Sequence, residues 1–222
     1  MPPMGVADSG ERRAWELLAA GSPEPVCVRS GAAFDPAAGQ YRLASFGQVF
    51  VVHPPGRRIT ALAPEGSALL DRHGDLLRLS LLWYLVKATG DRPAGTLVNP
   101  ARLPGGDLFA RGTHVLPLDA LAARHTESPE AFLAAGAALG GRSEPYGDAA
   151  VELPALPRIP VTIILWRADD EFPARADLLF DATAPRHLPT DVLWALAMLS
   201  VQLMGNKARN PLGPPLPKGD AV

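Results

Sequence analysis

The chain has 222 residues, 47% of them hydrophobic and 20% charged, with 21 basic groups against 23 acidic ones and a formal charge of −2. That balance supports a buried core in one α+β domain, and it excludes both a chain disordered by composition and a protein held to nucleic acid by a basic surface. Cys27 is the sole cysteine, which excludes an intrachain disulfide and any all-cysteine zinc or iron–sulfur site built by this chain alone, and points to a reducing cytoplasm.

The sequence opens MPPMGVADSGERR, with acids where a secretory signal carries its apolar stretch, and no later run reaches the roughly 18 apolar residues of a membrane-spanning helix. Residues 1–9 are expected to be a disordered end. Glu11 to Ala20 places Trp15, Leu18 and Ala19 on one face of a short helix that Gly21 and Pro23 stop. Tyr41 to His53 suits two short strands or one strand bent at Gly47, and Arg58 to Leu62 follows the turn Pro54-Pro55-Gly56 as a hairpin partner. Asp75 to Lys87 repeats Leu77, Leu81, Tyr84 and Leu85 at helical spacing, with Leu76, Leu79 and Trp83 widening the stripe.

After Pro117, Asp119 to Arg124 makes another short helix. Ser128-Pro129-Glu130 then gives an N-cap serine followed by a proline at the first helical position, and Gly140-Gly141 stops the helix Glu130 to Leu139. Val161 to Trp166 is the clearest strand, Asp177 to Phe180 a second, and Thr190-Asp191 opens the helix Val192 to Met204. Residues 206–222 are dense in Pro and Gly and read as a disordered tail. The expectation is a single domain over residues 10–205, a mainly antiparallel sheet covered by the helices Asp75 to Lys87, Glu130 to Leu139 and Val192 to Met204.

An ordered series of short motifs carries a resemblance. It comprises Gly105-Gly106, Leu139-Gly140-Gly141 with Gly147-Asp148, Leu156-Pro157-Arg158-Ile159-Pro160, and Leu165-Trp166 with Asp169-Asp170-Glu171-Phe172-Pro173. Leu179-Phe180-Asp181 with His187-Leu188-Pro189-Thr190 completes it. In these the chain resembles the prokaryotic family known as domain of unknown function 3786, over residues 10–204. The resemblance implies one domain and a link to anaerobic corrinoid or iron–sulfur metabolism; it supplies no catalytic residue or substrate. The chain departs from members with a cysteine-rich module, since Cys27 alone cannot supply four thiolates.

Candidate chemistry gathers after the strand Val161 to Trp166. Asp169, Asp170 and Glu171 are the candidate metal ligands, because carboxylates on a loop at a strand end suit a hard divalent cation. Asp170, Glu171, Asp181 and His187 are the candidate catalytic groups, as carboxylates and an imidazole that can move protons. His114 and His187 are the candidate axial ligands to a tetrapyrrole. The glycine loop Gly140 to Asp148 follows a helix C-terminus, where outward carbonyls repel phosphate, so its glycines read as a left-handed cap and Asp148 as a turn former.

Structural roles compete with these. Carboxylates next to proline loops cap turns, lone histidines sit satisfied in cores, Cys27 packs as a small residue, and the four tryptophans fill the core. Arg142 and Arg158 read as solvated surface. Two functions follow as expectations. One is a cytoplasmic, non-catalytic protein that binds a small molecule or cofactor, or accompanies a metalloenzyme partner; the alternative is a metal-assisted hydrolase or lyase using the acidic cluster.

Overall fold

A computed structural model of the chain describes residues 6–110 and 115–205. His114 and the tail 206–222 therefore lie outside the described residues, and so does the start of the N-terminal segment. Helix α1 spans Val6–Ala20, so residues 6–9 are helical where a disordered end is expected. Packing explains the extension: a Cβ at Gly10 would stand 3.6 Å from Leu79 of a later helix, so this turn lies against the body of the protein.

Helix α2, Pro23–Ser30, with Pro23 and Pro25 in it, has no counterpart in the sequence reading, where Gly21 and Pro23 serve as the stop of the helix before it. Both prolines sit in the first turn, where no intrahelical N–H is needed, and Gly31 ends the helix at φ 74° with its N–H on the Cys27 carbonyl. Strands β1 (Ala33–Asp35), β2 (Gln40–Ser45), β3 (Gln48–His53) and β4 (Arg58–Ala61) then form an antiparallel meander. The turn between β2 and β3 holds Phe46 at φ 48° and Gly47 at φ 71°, the left-handed pair that a two-residue hairpin requires.

Helix α3 runs Pro64–Lys87, eleven residues further back than its periodicity indicates. His73 departs from helical geometry at φ −130°, and Gly74 follows it, which interrupts the pattern ahead of Asp75. Strand β5 (Leu97–Val98) is followed by two short 3₁₀ turns, then α4 (Leu118–His125) and α5 (Pro129–Ala138), where the Ser128 hydroxyl accepts from Ala131 N at 3.2 Å. Strands β6 (Arg142–Glu144), β7 (Ala149–Leu156), β8 (Ile159–Trp166) and β9 (Arg175–Asp181) lead to the short α6 (Ala184–His187) and to α7 (Thr190–Gly205).

The class is α+β, and its strands divide into two antiparallel sheets, of four strands and of five in the order β5-β9-β8-β7-β6. A register break in β7 between Leu153 and Leu156 frees two carbonyls from the ladder. Pro154 O accepts from Phe46 N at 2.8 Å and Ala155 O accepts from the buried Ser45 hydroxyl at 2.6 Å, so the first sheet docks by its hairpin onto the bulge of the second. One hydrophobic cluster spans both sheets and the helices α1, α3, α4, α5 and α7. Helix α7 is buried on most sides, as its near-continuous apolar sequence requires, with Ser200 paired to Leu196 O at 2.8 Å.

Candidate functional site

The five-stranded sheet packs one face on α4, α5 and α7. Strand alternation sends the other set of side chains to the opposite face: Arg142 and Glu144, Glu152, Thr162 and Trp166, then Arg175, Asp177 and Asp181. Two clefts open on that face. Thr162 and Trp166 lie four residues apart on β8, which sets the clefts about 13 Å from each other.

The first cleft, of about 460 Å³, lies at the β8–β9 end and is lined by Trp166, Arg167, Phe172 and Arg175 together with Asp148 and Asp169. The Arg175 guanidinium stands 4.9 Å over the Trp166 ring, whose Nε1 donates to Asp177 at 2.8 Å. Arg167 donates through Nε to Thr126 O at 2.8 Å. Among the described residues neither Arg167 nor Arg175 has an ion-pair partner. The two carboxylates serve their own loops: Asp148 accepts from Arg167 N at 2.7 Å, and Asp169 accepts from Glu171 N at 2.9 Å and Phe172 N at 2.7 Å. Phe172 is 65% exposed at the rim.

The second cleft, of about 380 Å³, has Glu152, Thr162 and Asp181 on its floor, Arg142, Glu144 and Tyr146 on one side, and the loop through Pro93 and Gly95 on the other. Arg142 bonds Glu144 at 2.8 Å and Glu152 at 3.0 Å. Burial pushes the Glu152 carboxyl up; Arg142 opposes this, and the neighbouring Glu144 and Asp181 add to it. Asp181 is 1% exposed and accepts from Ala94 N, Gly95 N and Thr96 N at 3.0, 2.7 and 3.2 Å, and from Thr183 N and Oγ1 at 2.9 and 2.7 Å. Burial raises its carboxyl, but the bonds from Thr183, Ala94 and Gly95 outweigh burial and hold it below the usual range. Three consecutive amides around Gly95, at φ 74°, make a nest for this one carboxylate.

His187 is fully buried, and its Nδ1 accepts from Thr89 N at 3.3 Å. That bond leaves the proton of a neutral ring on Nε2, which has no hydrogen-bond partner. Burial pulls the imidazole below its ordinary value, with Arg158 and Arg186 adding to the effect and Asp91 opposing it. Thr89 N engages Nδ1 of this fully buried ring, and His187 is not among the residues lining either cleft.

The expected site residues thus fall in three places. Asp169, Asp170 and Glu171 form an exposed turn in which the Asp169 carboxylate accepts from Glu171 N and Phe172 N. Asp181 stands at the far end of β9, six residues and about 20 Å beyond Arg175, and His187 lies on α6 behind the loop that Asp181 holds. Among the described residues no three His, Cys, Asp or Glu side chains are grouped to hold a metal ion.

A family model described as "Domain of unknown function (DUF3786)" matches residues 22–203. The chain belongs to this family. The match takes in both clefts and leaves out α1, and the family's description assigns no activity. No curated protein and no solved structure matches the chain.

In this family member, some residues stand otherwise than the sequence alone indicates. Trp166 lies on the open face and not in the core. Arg158 is no loose surface charge, since it donates to the Arg29 and Val28 carbonyls at 2.7 and 3.2 Å and so closes the C-terminus of α2. Glu152 and Thr162 are single polar residues inside apolar strands, and that alternation is the mark by which they could have been found.

Proposed function

We propose that the chain is a non-catalytic protein of the cytoplasm that binds a small planar anion, such as an aromatic carboxylate, in the cleft beneath Trp166. The observation that carries this reading is the convergence of two guanidinium groups free of ion pairs with aromatic surface around the larger and more apolar of the two clefts. A planar guanidinium matches a carboxylate with two parallel bonds, and aromatic walls take up the rest of a flat ligand. Cys27 as sole cysteine supports the compartment. The resemblance implies an accessory place beside corrinoid or iron–sulfur enzymes, in which any cluster would be held by the partner.

The alternative, a metal-assisted hydrolase or lyase, would have to work from the exposed Asp170 and Glu171 without Asp181 and His187. A titration of indole-3-carboxylate and benzoate, read by tryptophan fluorescence, tests the preferred reading. Saturable binding that Arg175→Gln weakens at least tenfold is expected, since the substitution removes the charge-assisted fork. Equal binding to the variant, or none to the wild type, would overturn it.

A further inference from the structure

The second cleft carries a separate inference, independent of the ligand assigned to the first. Its lining holds three carboxylates, Glu144, Glu152 and Asp181, against the single guanidinium of Arg142. Arg142 is already shared between Glu144 and Glu152, at 2.8 and 3.0 Å. Asp181 keeps its charge through backbone and Thr183 donors that bring little net positive charge to the cleft. The cleft is therefore short of positive charge around Glu152, the carboxylate with the fewest donors of its own.

A second observation points the same way. Thr162 lies on the floor directly opposite Glu152 in the β7–β8 register, is 2% exposed, and among the described residues its hydroxyl has no hydrogen-bond partner. The hydroxyl opens to the cleft, since among the described residues the one buried side-chain polar atom without a partner is His187 Nε2, and it stands as an uncommitted acceptor next to an under-compensated carboxylate. An ammonium group supplies both needs at once, since it brings one positive charge and three N–H donors.

The remaining walls select the kind of cation. Pro93, Leu97 and Pro160 offer apolar surface for an aliphatic stem, and Tyr146 offers an aromatic ring at the rim, which also attracts cations. The carboxylates are not grouped as the ligands of one metal ion among the described residues, and about 380 Å³ is room for an organic molecule.

From these observations we infer that the cleft between Glu152 and the Pro93 to Leu97 loop is a binding site for a small aliphatic amine, with the ammonium seated between Glu152 and Thr162. Putrescine and spermidine serve as probes, followed by calorimetry and by amide NMR spectra of the full chain, with butanediol and ionic-strength-matched sodium chloride as controls. Saturable binding of one diamine per chain is expected, with shifts centred on Gly95, Tyr146, Glu152 and Thr162. Glu152→Gln is expected to weaken it at least tenfold. Thr162→Val, close in shape, is expected to weaken it about fivefold and gives a second readout should Glu152→Gln fail to fold. Shifts reproduced by sodium chloride, binding equal in both variants, or no saturation with either amine would overturn the inference. None of these results depends on whether an aromatic acid binds beneath Trp166.

Discussion

Asp181 and His187 hold opposite ends of one loop. Thr89 N donates to His187 Nδ1 at 3.3 Å where the loop leaves α3, and the Asp181 carboxylate collects Ala94, Gly95 and Thr96 where it enters β5. The loop so held is a wall of the second cleft. Two residues that read as candidate catalytic groups thus both bond the backbone of a loop that borders the open face.

Asp181→Asn tests this anchoring. An amide can turn only one acceptor toward donors that now meet both carboxylate oxygens, and charge-assisted bonds of this kind are worth about 1.5 to 3 kcal/mol each when lost. The variant is expected to lose about 2 to 4 kcal/mol in urea unfolding. A loss under about 0.5 kcal/mol would contradict the role.

Acid sensitivity follows from two buried imidazoles. Burial lowers both His187 and His125, the latter bonded to Met204 O at 3.2 Å. The unfolded side chains titrate near about 6.5, so below that pH the unfolded state binds more protons than the folded one. Stability is then expected to fall as pH drops from about 6.5 toward the depressed folded values, and to lose nothing more from these groups below them. Asp181 has the same sign at lower pH: its contribution is present above about 3.9 and is lost as pH falls through its depressed folded value. Glu152, being raised, opposes this trend. Urea midpoints measured across this range for the wild type and for His187→Asn, which keeps an acceptor for Thr89 but does not titrate, should show a flatter profile in the variant. An identical profile would show that His187 does not contribute to the acid sensitivity.

The docking of the two sheets rests on close backbone approach. A Cβ at Gly140, where φ is 73°, would stand 2.9 Å from the Cα of Gly47, whereas one at Gly39, with φ 62°, meets nothing within 4 Å. Gly39→Ala is expected to cost about 1 to 2 kcal/mol for backbone conformation alone. Gly140→Ala is expected to cost at least about 2 kcal/mol more, because backbone must move. Equal losses in thermal unfolding would show that the two sheets are not held at this contact.

Ser45→Ala probes the same junction from the other side. It removes the donor at 2.6 Å from Ala155 O in a buried position and is expected to cost about 1 to 2 kcal/mol. Ser67→Ala, at an exposed site with a 3.4 Å bond, is expected to change stability by less than about 0.5 kcal/mol. Chemical denaturation of the pair gives the comparison.

The parts legible in the sequence are those whose signal is local. Helix α7, strand β8 and the Ser128 cap of α5 follow from runs and capping residues that need no distant partner. Strand β7 hides because Pro154 interrupts it, and only the hairpin at Phe46 shows why a proline carbonyl is wanted there. The first half of α3 hides behind the His73 irregularity. The candidate site was least legible for a related reason. Asp169, Asp170 and Glu171 are neighbours along the chain, and that proximity is spent on a turn. Glu144, Glu152, Thr162 and Asp181 come from four strands and meet only through sheet register.

On the proposed function, the open face of the five-stranded sheet is the binding face. Amide NMR spectra of the full chain, recorded during titration with indole-3-carboxylate, test it most directly. Shifts that saturate and centre on Asp148, Trp166, Arg167 and Arg175, and leave β1 to β4 unmoved, are the predicted result. Shifts centred on the first sheet, or scattered without saturation, would contradict it.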